Sequence, residues 1–224
     1  MANTALYAVL TGDVVGSTEL SAERIEQVRG EIEDGVRVIA GWQAGLVAGG
    51  PEFFRGDAWQ LALADPRMFL RASVYLRARL LALKPQADTR IAIGLGSINR
   101  IETQVSHSTG SAFTFSGRTL DDMKSWRLFA ADVNASRDDA VQWLSPLLSL
   151  CGAVVSRWKP KQATIASLAL EPGNRTQKDI GDLLKMTQQG VSDAMVAAEF
   201  KAVMDAILLL ERLPWDVLVT EDVQ

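Results

Sequence analysis

The sequence predicts an α+β chain: a β-α-β-β-α-β sheet domain over residues 1–154, then a small all-α domain over residues 155–224. Short apolar, β-prone runs alternate with helically spaced segments through the first 150 or so residues. Gly56-Asp57 separates two such runs, a hairpin signal. After Gly152 the texture changes to a short basic linker, Arg157-Trp158-Lys159-Pro160-Lys161, and then to almost uninterrupted helical sequence. With 48% hydrophobic and 22% charged residues in 224, the chain is of ordinary globular composition. A single cysteine, Cys151, and a single histidine, His107, exclude an intrachain disulfide, a Cys/His zinc site and any mechanism that needs two histidines. The longest N-terminal apolar stretch, Ala5 to Leu10, is too short for a membrane span and has no basic residue before it, so a cytoplasmic protein without membrane attachment is expected.

Each element has its own reason. Leu6 to Leu10 is a buried strand that delivers Asp13 to its carboxyl end. Ser17 and Thr18 are candidate caps for a helix whose apolar face is Leu20, Ile25, Val28, Ile32, Val36 and Ile39. Gly41 to Pro51 punctuates it. Glu52 to Arg55 and Trp59 to Leu63 form the hairpin, with Asp57 on its turn. Pro66 opens the next helix, with Met68, Phe69, Ala72, Leu76, Leu80 and Leu83 inward and Arg71, Arg77 and Arg79 largely off that face. Thr89 to Ile98 is a strand whose Gly94 and Gly96 allow close approach from something packed across it. A polar loop, Ser106 to Gly110, leads to a helix near Ala112 to Met123, a strand near Arg127 to Ala131 and a helix near Asp138 to Leu150. This order is the ferredoxin-like split βαβ plan with additions. The tryptophans, Trp42, Trp59, Trp126 and Trp143 among them, fall mostly in apolar phase and are expected in the core.

Two carboxylates stand out. In such a sheet the first strand lies beside the hairpin, which brings Asp13 and Asp57 to one end. Paired carboxylates suit Mg²⁺ or Mn²⁺, which take one or two acids and complete their shell with substrate phosphates. The backbone amides of Val14, Val15, Gly16, Ser17 and Thr18 are placed to favour a triphosphate. The plainer alternative makes Asp13 a strand-end cap and Asp57 a turn former. His107, on a polar Ser-His-Ser-Thr loop, reads first as a solvated residue and second as a contact to a base.

Gly12-Asp13-Val14-Val15-Gly16-Ser17-Thr18 resembles the metal-binding opening of class III nucleotide cyclase domains, and Arg55-Gly56-Asp57 resembles their second metal aspartate. Arg90-Ile91-Ala92-Ile93-Gly94-Leu95-Gly96 is similar to a further cyclase strand. Gly110 to Leu120 falls in register with the cyclase helix whose Asn and Arg act on the transition state. Arg118 takes the arginine place and Thr114 replaces the asparagine. Phe53 and His107 stand where cyclases read the purine with a lysine and an acid. Ser116-Gly117-Arg118-Thr119-Leu120-Asp121 and the helical C-terminal part resemble most closely the SatD family, cyclase-like proteins with an added helix-turn-helix. The resemblance implies bound nucleotide, catalytic roles for Arg118 and Thr114, and a homodimer in which metals from one subunit meet helix residues from the other.

In the C-terminal part, Thr176 to Leu184 and Thr187 to Met195 are helices joined by Lys185-Met186. The spacing of Ile180, Gly181, Leu184, Met186, Val191 and Met195 is that of a helix-turn-helix. Gln188, Gln189, Ser192 and Asp193 are expected to face outward toward DNA, with Arg175 and Lys178 on its backbone. From Arg157 to Lys201 the balance is +2 in a chain of net charge −4. An ordinary three-helix interaction or dimerisation module is the alternative. The expectation is therefore a regulator in which a metal-nucleotide site is coupled to a DNA-binding unit. Its rivals are an active purine nucleotide cyclase or nucleotidyl-transfer enzyme with a regulatory tail, and a scaffold that binds no nucleotide.

Overall fold

Strand β1 (Leu6–Val14) is the axis of the structure, a computed structural model describing residues 5–54, 56–102, 105–133, 141–173 and 175–219. It pairs antiparallel with β3 (Ala58–Leu63) on one side and β4 (Thr89–Ser97) on the other. β2 (Val47–Phe54) lies outside β3, and β5 (Phe129–Val133) runs parallel to β4. The fold is α+β, with a mixed sheet of order β2-β3-β1-β4-β5. β1 reads as a continuous apolar run because both its faces are covered. Ala8 and Leu10 point to the main core, and Val9 points to a smaller one with Ala62 and Ala112.

Helices α1 (Ala22–Ala40) and α2 (Phe69–Ala82) pack in the main core, and α3 (Ser111–Asp122) lies on the opposite face. The α1 cap differs from expectation. Ser21 accepts from Arg24 N at 3.2 Å, while Ser17 and Thr18 sit in a separate 3-10 turn, Ser17–Glu19, ended by the extended backbone of Leu20. β2 begins inside the stretch expected to be punctuation. Its glycines are accommodated by register shifts between Val47 and Glu52, as bulges allow. On β4, a Cβ at Gly94 would strike the Ala112 carbonyl and lie 2.6 Å from Ser116 N, so only glycine lets α3 come this close.

Arg71 and Arg77 correct the expected helix face. Arg77 is wholly buried, and Arg71 is nearly so. α2 has no broad solvent face because α5 (Pro160–Leu170) covers its far side, so each buried guanidinium is matched with a carboxylate. Arg77 holds both oxygens of Asp88 at 2.7 and 2.6 Å. Arg71 holds Glu211 at 2.6 and 3.0 Å and the Leu170 carbonyl at 2.9 Å.

The remaining described helices are α4 (Leu144–Val155), α6 (Gln177–Leu184), α7 (Gln188–Ala197), α8 (Phe200–Arg212) and the short α9 (Trp215–Leu218). The start expected for α4, residues 138–140, lies outside the described residues, as does Arg55. Trp158, Leu170, Phe200, Ile207 and Trp215 belong to the same apolar core as β1 and α2, which therefore runs on past the boundary expected at 154/155. Ile165, Ile180 and Val191 form a further small core beneath α5, α6 and α7. Trp126 departs from the core assignment. It is 71% exposed, on the turn between α3 and β5. Among the described residues no helix is long and apolar enough to cross a membrane.

Candidate functional site

Asp13 and Asp57 come together at the carboxyl end of β1. Asp13 pairs in register with Ala58 of β3, so the hairpin turn carries Asp57 beside it, and Val14 N donates to the Asp57 carbonyl at 3.2 Å. Both acids line a cleft of about 650 Å³ between the sheet end and α3. Its floor holds Thr11 and Gln60, and its α3 wall is Gly117, Leu120 and Asp121. Thr11 and Asp13 share a face because side chains alternate along a strand.

Neither acid is bare. Arg90 Nε donates to Asp13 Oδ1 at 2.9 Å, and Nη2 donates to Oδ2. Nη1 reaches the Met123 carbonyl at 3.2 Å. The hydrogen bond to Asp13 is the main reason the Arg90 pKa is raised above its ordinary value. The Ser17 hydroxyl donates to Asp57 Oδ2. Behind the turn, Arg29 Nη2 donates to the Gly56 carbonyl, while the same guanidinium lies 5.3 Å over the Phe53 ring. Arg29 therefore fixes the turn that presents Asp57. Below the acids, Gln60 Nε2 donates to Thr11 Oγ1 at 2.9 Å, and Thr11 Oγ1 donates to Ser116 Oγ at 2.8 Å. This buried polar chain ties β3, β1 and α3 together at the cleft floor.

The other expected residues are distributed differently. Two of the five amides assigned to a triphosphate are already used: Val14 N on Asp57, and Val15 N on the Asp88 carbonyl at 2.9 Å. Gly16 is left-handed at φ 68°, and Ser17 and Thr18 line a separate hollow behind Asp57 with Arg29. Phe53 packs in the α1 side of the core, and its neighbour Phe54 faces the cleft instead. His107 is exposed in the turn Val105–His107, past Ser97, at the end of β4 that pairs with Leu6 rather than with Asp13. Within one chain it does not reach the cleft. Thr114 and Arg118 are exposed on α3, and Arg118 bonds Asp132 at 2.8 Å.

In the C-terminal part, α6 is capped reciprocally by Thr176 and Asp179, whose carboxyl group is held below the usual range by the Thr176 amide. Lys185 makes the turn in the left-handed region, and a Cβ at Gly181 would lie 2.7 Å from the Met186 carbonyl. Gln188 and Gln189 are exposed at the start of α7, Gln189 donating to Asp193 at 2.7 Å. Ser192 is half-buried, lining a shallow hollow with Met195 and Phe200 rather than facing outward. Lys178 pairs with Asp182, and Arg175 with Glu171 and the Leu168 carbonyl.

Sequence reasoning passed over Arg90, Arg29, Gln60 and Thr11. One signal was available: Gln60 is the lone polar residue of β3, a six-residue strand buried throughout. Comparison with protein-family models, with curated proteins and with solved structures finds no match to this chain.

Proposed function

We propose that the protein is a regulator in which a divalent cation and a nucleotide bind in the Asp13–Asp57 cleft and a helix-turn-helix formed by α6 and α7 binds DNA. The observation that carries the reading is the placement of both carboxylates on the rim of one cleft of nucleotide size. The order β2-β3-β1-β4, with α1 and α2 as the crossovers, supports reading the sheet as the split βαβ plan and, with it, the resemblance to class III cyclases. Two aspartate side chains are a hard-oxygen donor set that suits Mg²⁺ or Mn²⁺. Asp13 and Asp57 would hold the cation, which would neutralise phosphate charge. Gln60 and Thr11 present hydrogen-bonding groups from the floor, and the Gly117 backbone leaves room along the wall.

A physical link between the two parts supports coupling. The segment Leu83–Asp88 follows α2. At one end the Asp88 carbonyl takes Val15 N, just after Asp13; in its middle Gln86 Nε2 donates to the Trp158 carbonyl at 2.9 Å. Trp158 Nε1 in turn donates to the Ala198 carbonyl at 2.7 Å, at the C-terminal end of α7. The cleft loop and the base of α7 are thus joined by consecutive hydrogen bonds. The close α6–α7 contact at Gly181 and the exposed start of α7 support the helix-turn-helix.

A second reading, a purine nucleotide cyclase or nucleotidyl-transfer enzyme with a regulatory tail, is favoured by one observation. Thr114 and Arg118 share an exposed face of α3, open to a second copy, as the resemblance implies for a homodimer. Selection of bound duplexes from a random library tests the first reading. Gln189→Ala should weaken binding to the selected DNA and leave nucleotide binding unchanged, whereas failure to enrich any duplex contradicts DNA binding. Pyrophosphate release from nucleoside triphosphates, abolished in Arg118→Ala, would establish the second reading.

A further inference from the structure

We propose that Arg90 is an internal counter-ion for the cleft, displaced from Asp13 by the divalent cation and then free to take a phosphate group of the ligand. The inference rests on the reading of Asp13 and Asp57 as cation ligands.

One guanidinium holds both oxygens of Asp13 in a fork and reaches the Met123 carbonyl with its third nitrogen, so all three nitrogens are engaged. Arg90 and Asp13 are only 22% and 21% exposed, so solvent screens their charges weakly. A divalent cation at the same oxygens meets a fixed positive charge in direct contact with its ligand, and the two cations compete. Arg90 is rooted opposite Asp13 in the β1–β4 register, so its long side chain can swing while the strand stays in place. Among the described residues that line the cleft it is the one cation, the other charges being Asp13, Asp57 and Asp121. Once released, a guanidinium favours a phosphate, which it binds bidentately. Cation and polyphosphate then assist each other, and by linkage the assistance is reciprocal.

The test uses the full chain with simple probes. Calorimetric titration with Mn²⁺ alone should show at least tenfold tighter binding in Arg90→Gln than in the wild type, with Arg90→Lys between them. In excess Mg²⁺, inorganic tripolyphosphate should bind the wild type at least tenfold more tightly than Arg90→Gln. Equal or weaker Mn²⁺ binding in Arg90→Gln overturns the proposal, because Arg90 would then support Asp13 rather than compete for it. Should that variant fail to fold, the wild type decides: the Arg90 Nε–H resonance, assigned by its absence in Arg90→Lys, should shift as Mg²⁺ is added. An unmoved resonance in a protein that binds Mg²⁺ overturns the exchange. If Mn²⁺ binding is absent from the wild type and Arg90→Gln alike, or is indifferent to Asp57→Asn, the cation reading of the cleft fails, and the exchange fails with it.

Discussion

The Arg77 guanidinium, wholly buried and 4.9 Å over the Phe129 ring, grips both oxygens of Asp88, whose backbone carbonyl takes the amide of Val15 two residues after Asp13. An internal ion pair thereby positions the loop that leaves the candidate site. Arg77 Nη1 has no hydrogen-bond partner among the described residues, so Asp88 is the counter-charge on which this buried cation depends.

Asp88→Asn keeps the shape and removes that charge. Breaking one side of a buried pair costs about 3–5 kcal/mol, which in a chain of this size lowers Tm by roughly 10 °C. Arg118→Ala breaks a pair that is 60% and 37% exposed and should change stability by less than about 1 kcal/mol. Parallel thermal scans of the two variants check the contrast.

Gly94→Ala should be destabilising although it adds only a methyl group. The new Cβ meets α3 backbone, which cannot rotate away as a side chain does. Overpacking of this kind costs typically about 1–3 kcal/mol. Because Gly117, Leu120 and Asp121 of the cleft wall ride on α3, ligand affinity should fall with stability. Chemical denaturation alongside ligand titration measures both.

These two positions also show how far the sequence could be read. Gly94 was legible as a close approach, and Asp13 and Asp57 as acids at one sheet end, because strand alternation and a Gly-Asp hairpin turn are local patterns. Arg77 was not legible, since its partner Asp88 lies 11 residues on, past the end of α2, and the ring that covers it, Phe129, arrives from a distant strand. Trp126 has the local pattern of a core residue, but it lies on the turn between α3 and β5, where it is exposed. Arg90 belonged to a quoted motif, but only the β1–β4 register showed that it faces Asp13.

Gln86→Ala should separate ligand binding from response. The variant loses side-chain hydrogen bonds to the Leu81 and Trp158 carbonyls, a cost of about 1–3 kcal/mol in total. In the wild type, Mg²⁺·nucleotide should change amide hydrogen exchange at the C-terminal end of α7; in Gln86→Ala the affinity should persist and that change should shrink. An unchanged exchange response contradicts this route of coupling.

Cys151 is buried in α4, and burial pushes its thiol up to about 11. A thiol-specific reagent at neutral pH should modify the unfolded chain rapidly and the folded chain only at the rate of opening. The same shift gives a pH dependence. The unfolded thiol loses its proton from its ordinary value near 9 while the folded thiol retains it, so the contribution is complete below that value and is lost as pH rises toward 11. Cys151→Ala should lessen this alkaline loss in denaturant titrations at stepped pH.

The central claim is that Asp13 and Asp57 form one binding site. Titration calorimetry of the wild type and Asp57→Asn with ATP and GTP in excess Mg²⁺ tests it most directly. Saturable one-site binding of at least one nucleotide to the wild type is expected, weakened tenfold or more in Asp57→Asn while the fold is retained. Equal binding to both proteins, or no binding of either nucleotide to the wild type, would contradict it.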